Sequence, residues 1–411
     1  MPRFNLYTHN SLECLAQAYC DAWQDKPRQF RITNDIFIPE SITVATRGMG
    51  IWLEQYLVRH GRVAANIQFP FVRDTIDRIL SAFFSAEPNY RPELFSEQVL
   101  TWRLYDFLTH DSLDDFPVLK QYFNPSINPE QCTELRRYQL SAKLASLLFD
   151  YQSFLPDKLY LPQAREFVPQ NLRWQLDLWD RLCVIDGQKL LSPAEAVIRF
   201  LEMPDAAIRT AVKSFSQPFP PITFFGISAM PPMFLKILKK LSCAVDVNFF
   251  YHNPCDEYWA DQRSKWEASH QQASEPEDFD SLFDNTLLGN FGMQGREFFK
   301  AVLDLDTQDI PIEYDRSWNS APPSLALRTE SVPPLLTEIQ QRIISRSNPD
   351  EDEQLPLPDW DDSLTIHSCF NATRELEALQ DALLHLIDTK HYAMNDIIVM
   401  APDIAEFAPA I

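Results

Sequence analysis

The chain has 411 residues, 45% of them hydrophobic, and a formal net charge of −22. This length predicts two or three compact domains, and the negative charge argues against a protein that coats nucleic acid through bulk electrostatics. The seven cysteines are scattered without a Cys-x-x-Cys pair, which disfavours disulfides and structural zinc. Since the sequence has neither a long apolar run nor a signal-peptide core, we expect a cytoplasmic protein without a membrane partner.

Much of the negative charge lies in two short segments. Residues 275–284 contain five acids and residues 349–362 contain seven, and neither segment contains Lys or Arg. The rest of the chain therefore has a net charge of only about −10, which leaves room for a local basic groove. Such acidic runs are typical of solvated linkers.

The N-terminal region alternates strands with helices. FNLYTH at 4–9 predicts a strand, and apolar residues then recur at helical spacing, with Asn10 and Glu13 spaced as a helix-capping pair. The segment ITVATRGMGIWLEQYL at 42–57 repeats this plan through a Gly48-Met49-Gly50 turn. Two such units in succession predict a parallel sheet covered by helices.

From about residue 80 to 205 the apolar spacing is helical almost throughout, which predicts a helical insertion. Ser192-Pro193-Ala194-Glu195 is a capping box that starts one of its helices. The strand and helix plan resumes at ITFFG (222–226) and returns with AVDVNFF (244–250), which predicts one β-α-β unit.

The C-terminal segment begins the pattern again. After the second acidic run, LTIHSC and NDIIVM predict two strands that flank the helix TRELEALQDALLHLI. Two strands and one helix bury too little surface to stand alone. We therefore expect more of this sheet beyond Ile411.

A nucleotide-binding loop is missing from the sequence. The P-loop pattern needs two glycines for the backbone that wraps the phosphates and a lysine that reaches them, and no window satisfies it. In the first strand-to-helix turn, where such a loop is expected, residues 8–11 read Thr-His-Asn-Ser. The strand ITFFG ends in Gly226 instead of the Asp-Glu pair that holds magnesium.

Other active-site patterns are equally weak. The run Gly289, Gly292 and Gly295 does not follow a predicted strand, as a dinucleotide fingerprint requires. The His-Cys pairs at 252–255 and 367–369 each lack a second pair at zinc-ribbon spacing. Carboxylates are dense only in the acidic runs, so a nuclease centre is not indicated. We predict no catalytic residue, no cofactor and no metal site.

One region retains a possible ligand site. The turn at 46–50 places Arg47 and the N-terminus of a helix at the carboxyl edge of the sheet, where open α/β sheets bind ligands. Residues 66–73 combine aromatic side chains with Arg73, a pairing that stacks bases and holds phosphates in single-strand binding. The alternative interpretation is a hydrophobic turn with one surface arginine.

Five segments, in order between Phe4 and Ile411, resemble the RecC family, the gamma subunit of exodeoxyribonuclease V. They are VATRGMGIWLEQYL with AANIQFPF, FFGISAMPPMFLKILKKL, VDVNFFYHNPCDEYW, NTLLGNFGMQGREF, and HSCFNATRELEALQDALL with MNDIIVMAP.

The resemblance implies an α/β fold, an inactivated superfamily 1 helicase-like fold that has lost its motor. Residues 1–80 plus 206–320 would form a RecA-like parallel-sheet domain, 1A, with residues 81–205 as its helical 1B-like insertion. Residues 321–362 would be an acidic linker region, and residues 363–411 the start of a second RecA-like domain, 2A.

The resemblance also implies a function. Such a chain is a non-catalytic DNA-channel and scaffold subunit of a heterotrimer that processes double-strand breaks. Its implied partners are a RecB-like helicase-nuclease beta subunit, a RecD-like alpha-subunit helicase, and single-stranded and duplex-end DNA. Recognition of a Chi-like hotspot as single-stranded DNA belongs to the same expectation.

The resemblance places part of the hotspot-reading surface on residues 42–53, the stretch after Asn66, and residues 140–155. The candidate DNA-binding residues are Thr46, Arg47, Ile51, Asn66, Phe71 and Arg73. The residues at the expected base-reading positions are Ala45, Arg47, Ile51, Phe71, Asp77 and Leu155. Since Ala, Ile and Leu cannot hydrogen-bond base edges, a different hotspot or none is expected. Two alternatives stay open: an interaction scaffold without DNA contact, and an autonomous helicase or nuclease with unusual motifs.

Overall fold

The computed structural model describes most of the chain. The described ranges are 3–25, 39–124, 134–215, 219–255, 258–261, 285–305, 308–309, 334–348 and 361–409. The acidic segment 275–284 and residues 349–360 of the second acidic segment lie outside them. No helix within the described ranges is both long and apolar enough to cross a membrane.

A six-stranded sheet occupies the centre of the N-terminal unit, and all its described pairings are parallel. Its strands, in sheet order, are β3 (Ile67–Gln68), β2 (Glu40–Val44), β6 (Ile222–Phe225), β7 (Val247–His252), β1 (Phe4–His9) and β8 (Gln308–Asp309). Strand β1 pairs with β7 in register from Phe4 opposite Val247 to His9 opposite His252. The predicted parallel sheet is confirmed.

Helices cover both faces of the sheet. The helices on one face are α3 (Val72–Phe84), α10 (Pro193–Glu202), α12 (Pro232–Leu241) and α14 (Met293–Leu303). The opposite face carries α1 (Leu12–Asp25) and α2 (Arg47–Arg59). Successive strand residues point to opposite faces: Phe224 and Phe249 join the first layer, while Phe225 and Phe250 join the second. Burial on both faces explains the continuous apolar runs of these strands.

The region between α3 and α10 is mostly helical, as predicted, and has a hydrophobic core of its own. Its helices are α4 (Glu97–His110), α5 (Pro117–Tyr122), α6 (Glu134–Phe154), α7 (Pro156–Tyr160), α8 (Pro162–Arg165) and α9 (Arg173–Leu182). A short antiparallel hairpin, β4 (Val184–Ile185) with β5 (Gln188–Lys189), interrupts the helices. The predicted cap of α10 is confirmed, because Ser192 Oγ accepts the Glu195 N–H at 3.2 Å.

The remaining helices of this unit follow α10 and β7. They are α11 (Asp205–Ser214) and α13 (Thr286–Phe291). The unit comprises residues 1–320 and 343–348, and a second unit comprises residues 321–342 and 349–411. The finer division into 1A, 1B and 2A domains stays a prediction.

The second unit departs from the sequence expectation. It contains part of α15 (Leu335–Ile344), then α16 (Ala372–Asp388), which Asn371 caps as acceptor of the Arg374 N–H at 2.8 Å, and α17 (Ile404–Phe407). The two predicted strands LTIHSC and NDIIVM are wrong: neither segment pairs with a strand in the described part of the chain. Ile366 is 89% and Met400 82% exposed. Alternating apolar residues favour a strand, but a strand also needs a neighbour for its backbone hydrogen bonds.

Candidate nucleic-acid interface

Two helix N-termini lie side by side at the carboxyl edge of the sheet. Strand β2 ends at Val44 and α2 begins at Arg47, whereas β3 leads through Pro70 into α3, which begins at Val72. The Val44 N–H donates to Pro70 O at 3.1 Å, which ties the two turns together. We refer to residues 45–51 and 66–73 as the carboxyl-edge surface. Both helix termini present the positive end of a helix dipole to this surface.

The first half of the carboxyl-edge surface is held by a helix cap. Thr46 Oγ1 accepts the Met49 N–H at 3.2 Å, so that the hydroxyl satisfies one of the free donors of α2. Arg47 is exposed and has no hydrogen-bond or ion-pair partner among the described residues. Ile51, one turn later, is 48% exposed. A cation and an apolar side chain therefore face solvent beside a helix N-terminus.

The second half begins at a left-handed residue. Asn66 has φ of 60°, a conformation that Asn tolerates better than most residues, and its carbonyl accepts the Glu40 N–H at 3.1 Å. The chain then runs beside β2, and Phe69 packs directly on Gly50 of α2. Phe71 follows and is 48% exposed. This turn sets the exposed Phe71 ring on the same edge as Arg47.

Arg73 is already engaged within the protein. Its guanidinium donates to Ser153 Oγ, lies 3.5 Å from Asp77 Oδ2 and covers the Phe149 ring at 4.1 Å. Burial raises the pKa of Asp77, and the Arg73 charge opposes that rise. Arg73 thus joins α3 to the end of α6. Its contact with DNA stays a prediction, and its visible role is to position α6.

The structure brings together all three segments expected to form the surface. Residues 42–53 and 66–73 meet through β2 and β3, and residues 140–155 of α6 join them through Arg73. Sequence reasoning missed the two contacts that fix this arrangement, Gly50 with Phe69 and Arg73 with Ser153. The predicted Gly48-Met49-Gly50 turn is wrong, because α2 begins at Arg47 and contains both glycines. A glycine inside this helix is the position at which Phe69 makes the first contact. The second joins residues 80 positions apart and had no local signal.

The turn between β1 and α1 is very short, since only Asn10 and Ser11 separate the two elements. The predicted cap at Asn10 is wrong by one residue: α1 begins at Leu12, and Ser11 Oγ accepts the Cys14 N–H at 3.2 Å. The Ser11 N–H donates to His9 Nδ1 at 2.9 Å, and His252 Nε2 lies 2.9 Å from Asn10 O. The Ser11 and Cys14 N–H groups, donors of the kind that a phosphate-binding loop presents to its ligand, therefore bond side chains within the turn.

His9 makes this turn sensitive to acid. Burial, with a smaller effect of His252, lowers the pKa of His9, and its Nδ1 must stay unprotonated to accept the Ser11 N–H. An unfolded His has a pKa of about 6.5, so the unfolded chain binds more protons below that pH. We expect the free energy of unfolding to fall as the pH drops below about 6.5. His9→Asn should weaken this dependence in urea titrations at several pH values, and a dependence that this variant leaves unchanged would contradict the role of His9.

No group of three or more His, Cys, Asp or Glu side chains within the described ranges could hold a metal ion.

Comparisons with known proteins point to one family. A family model described as RecC, N-terminal domain, matches residues 4–346. The RecBCD enzyme subunit RecC of Escherichia coli (strain K12) is 28% identical over 418 residues, which cover 92% of this chain and 35% of that protein. The Haemophilus influenzae subunit of the same name is 27% identical over 461 residues, 99% of this chain and 39% of that protein. The Mycolicibacterium smegmatis subunit is 23% identical over 399 residues, 92% of this chain and 32% of that protein. The chain spans about a third of the length of these relatives.

Proposed function

Because the chain belongs to the RecC family through its N-terminal domain, we propose that it is a DNA-channel and scaffold component of an ATP-dependent helicase-nuclease. Such an assembly processes double-strand breaks for recombinational repair. The carboxyl-edge surface carries the proposal: two helix N-termini and the exposed Arg47 lie beside the exposed Ile51 and Phe71. Helix N-termini and arginines bind phosphates, and aromatic rings stack on bases. Single-stranded DNA is therefore the proposed ligand of this surface.

The chain is proposed to have an inactivated helicase-like fold, in which its sheet is RecA-like domain 1A. The two-residue turn between β1 and α1 supports this, because a P-loop has eight residues in its consensus. Gly226, at the end of β6, has φ of 64°, and a Cβ there would lie 3.3 Å from Met49 Cε. A magnesium-binding carboxylate at this position would need both a strained backbone and displacement of Met49. ATP binding and strand cleavage are accordingly assigned to partner subunits.

The partners proposed for the chain are a RecB-like helicase-nuclease and a RecD-like helicase, in a cytoplasmic heterotrimer. The name RecBCD enzyme subunit, which the relatives bear, supports this assembly. The carboxyl-edge surface offers the apolar Ala45, Ile51 and Phe71 at positions expected to read bases. Contacts there are stacking and phosphate binding, so recognition of a hotspot other than Chi, or of none, is part of the proposal.

A second candidate is an interaction scaffold without direct DNA contact. The observation in its favour is an aromatic cluster on α4 and α6, where Trp102 is 62% and Tyr138 42% exposed. The Trp102 ring lies 5.6 Å from Tyr138 and 6.0 Å from Tyr105. Exposed Trp and Tyr are enriched at protein interfaces.

Replacing Arg47 separates the two candidates. Arg47→Ala should remove one phosphate contact, which makes the salt dependence of single-stranded DNA binding shallower by about 0.7 in log K against log [salt]. The measurement is fluorescence anisotropy of a labelled oligonucleotide at several salt concentrations. Arg59→Ala, which removes an exposed arginine from the opposite end of the same helix, is the control. Equal slopes for both variants would favour the scaffold.

A further inference from the structure

A second basic region lies on helices α11 and α12. Residues 206–245 contain no Asp or Glu, although the chain as a whole has a net charge of −22. The acids nearest in sequence, Asp205 and Asp246, stand at its two ends. The cations within it are Arg209, Lys213, Lys236, Lys239 and Lys240. A stretch of this length without an acid marks a local reversal of the chain's charge.

The fold aligns the two helices. Lys240 Nζ lies 3.0 Å from Asp205 Oδ1, and Arg209 Nε donates to Cys243 O at 3.1 Å. The beginning of α11 therefore runs beside the end of α12, and the rest of α11 continues past it. Asp205, the one acid at this junction that the structure shows in contact with these cations, is neutralised by Lys240.

The cations extend in both directions from this junction. At a helical rise of about 1.5 Å per residue, Lys236 lies about 6 Å before Lys240 along α12, and Lys213 lies about 6 Å beyond Arg209 along α11. We call the line from Lys236 through Lys240 and Arg209 to Lys213 the amino-edge stripe. Its two helical segments, about 6 Å each, together span about 12 Å, the length of three to four base pairs of duplex DNA at about 3.4 Å per pair.

The amino-edge stripe is separate from the carboxyl-edge surface. Helix α12 leads into the beginning of β7, so its last turn lies at the amino edge of the sheet. Lys213 and Lys236 are exposed and have no ion-pair partner in the described part of the chain. No large hydrophobic side chain in the described parts of residues 205–245 is exposed. The stripe thus offers charge without the aromatic platforms that single-strand binding uses.

We propose that the amino-edge stripe binds the phosphate backbone of double-stranded DNA without reading its sequence, an inference that rests on the proposed DNA role of the chain. Lysines on a helical surface contact phosphates as point charges and carry no base information. The rigid spacing of duplex phosphates suits a fixed line of cations, whereas the carboxyl-edge surface, with Phe71 and Ile51 exposed, suits a single strand. The two edges of one sheet would then hold the two forms of DNA present at a break.

The test uses the full chain and a labelled blunt duplex of 20 base pairs in fluorescence anisotropy at several salt concentrations. Lys213→Gln combined with Lys236→Gln should make the slope of log K against log [salt] shallower by about 1.8, since each lost phosphate contact removes about 0.9. Neither lysine has an ion-pair partner within the described ranges, so the fold should tolerate the change. Lys158→Gln combined with Lys300→Gln alters the net charge equally and should leave the slope as in the unaltered chain.

An unchanged duplex slope in the Lys213 and Lys236 double variant would overturn the proposal, as would the absence of duplex binding by the unaltered chain. If that variant instead lost binding to poly-glutamate while duplex binding persisted, the stripe would be a docking site for an acidic protein and the proposal would be wrong. Single-stranded DNA binding that depends on Arg47 tests the proposed function independently. An unchanged duplex slope in the Lys213 and Lys236 double variant would not alter that result.

Discussion

Arg62→Met is expected to lower the free energy of unfolding by about 3–5 kcal/mol, because it leaves the Glu40 carboxylate buried without its cation. Arg62 Nη2 lies 2.7 Å from Glu40 Oε2, and the two side chains are only 7% and 4% exposed. The Tyr19 hydroxyl donates to the same carboxylate. Glu40 begins β2, the strand that ends at the carboxyl-edge surface, so this buried group supports the site from the far end of its strand.

Urea unfolding followed by tryptophan fluorescence measures this change in the free energy of unfolding. Trp23 is a local probe, because its ring lies 4.2 Å from the Arg62 guanidinium. Adding Glu40→Leu to Arg62→Met should restore much of the lost free energy of unfolding, since replacing both partners of a buried pair by apolar residues is often close to neutral. Lys120→Met, which breaks an exposed pair with Asp114, is the control and should not move the midpoint. An Arg62→Met midpoint equal to that of the control would contradict the account.

Gly50→Ala is expected to destabilise the chain by up to about 2 kcal/mol, because overpacking a filled site usually costs about 1–3 kcal/mol and better helix propensity offsets part of that cost. A Cβ at this position would lie 2.9 Å from Phe69 Cγ and 3.0 Å from Phe69 Cβ. These atoms are close to the backbone, so the turn before α3 has to move with them. The gain in helix propensity from Gly to Ala, about 1 kcal/mol, opposes this cost without removing it.

Gly48→Ala is the matched control two residues earlier. A Cβ there meets nothing closer than Thr46 Oγ1 at 3.9 Å, so the change should be neutral or slightly stabilising. Because Phe69 leads directly to Phe71, Gly50→Ala should also weaken single-stranded DNA binding. Equal urea midpoints for the two variants would show that Phe69 does not fix this turn.

Much of the sheet could be predicted from the sequence, because strands buried on both faces read as apolar runs whose partners need not be known. The same reasoning failed at LTIHSC and NDIIVM, where the pattern is present but neither segment pairs with a strand among the described residues. Local pattern reports the propensity of a segment, while a strand forms only with a partner. Sheet order, with β6 between β2 and β7, depends on contacts between distant segments and had no local signal.

The candidate site was predictable to a similar extent. The helix N-terminus at Arg47 and the aromatic turn before Arg73 follow from local sequence, and their shared edge follows from the parallel sheet. Whether each arginine has a partner within the protein does not follow from the sequence. Arg47 is exposed and has no partner among the described residues, whereas Arg73 meets Ser153 and Phe149 of a helix that begins 61 residues after it.

The most direct test of the account is to crosslink single-stranded DNA to the chain with ultraviolet light and map the crosslinked peptides by mass spectrometry, with and without Mg-ATP. The account predicts crosslinks within residues 45–51 and 66–73, at Phe71 above all, with the same yield in both conditions. Crosslinks confined to other surfaces, or a yield that changes with Mg-ATP, would contradict the claim that a sheet without a nucleotide site guides DNA at its carboxyl edge.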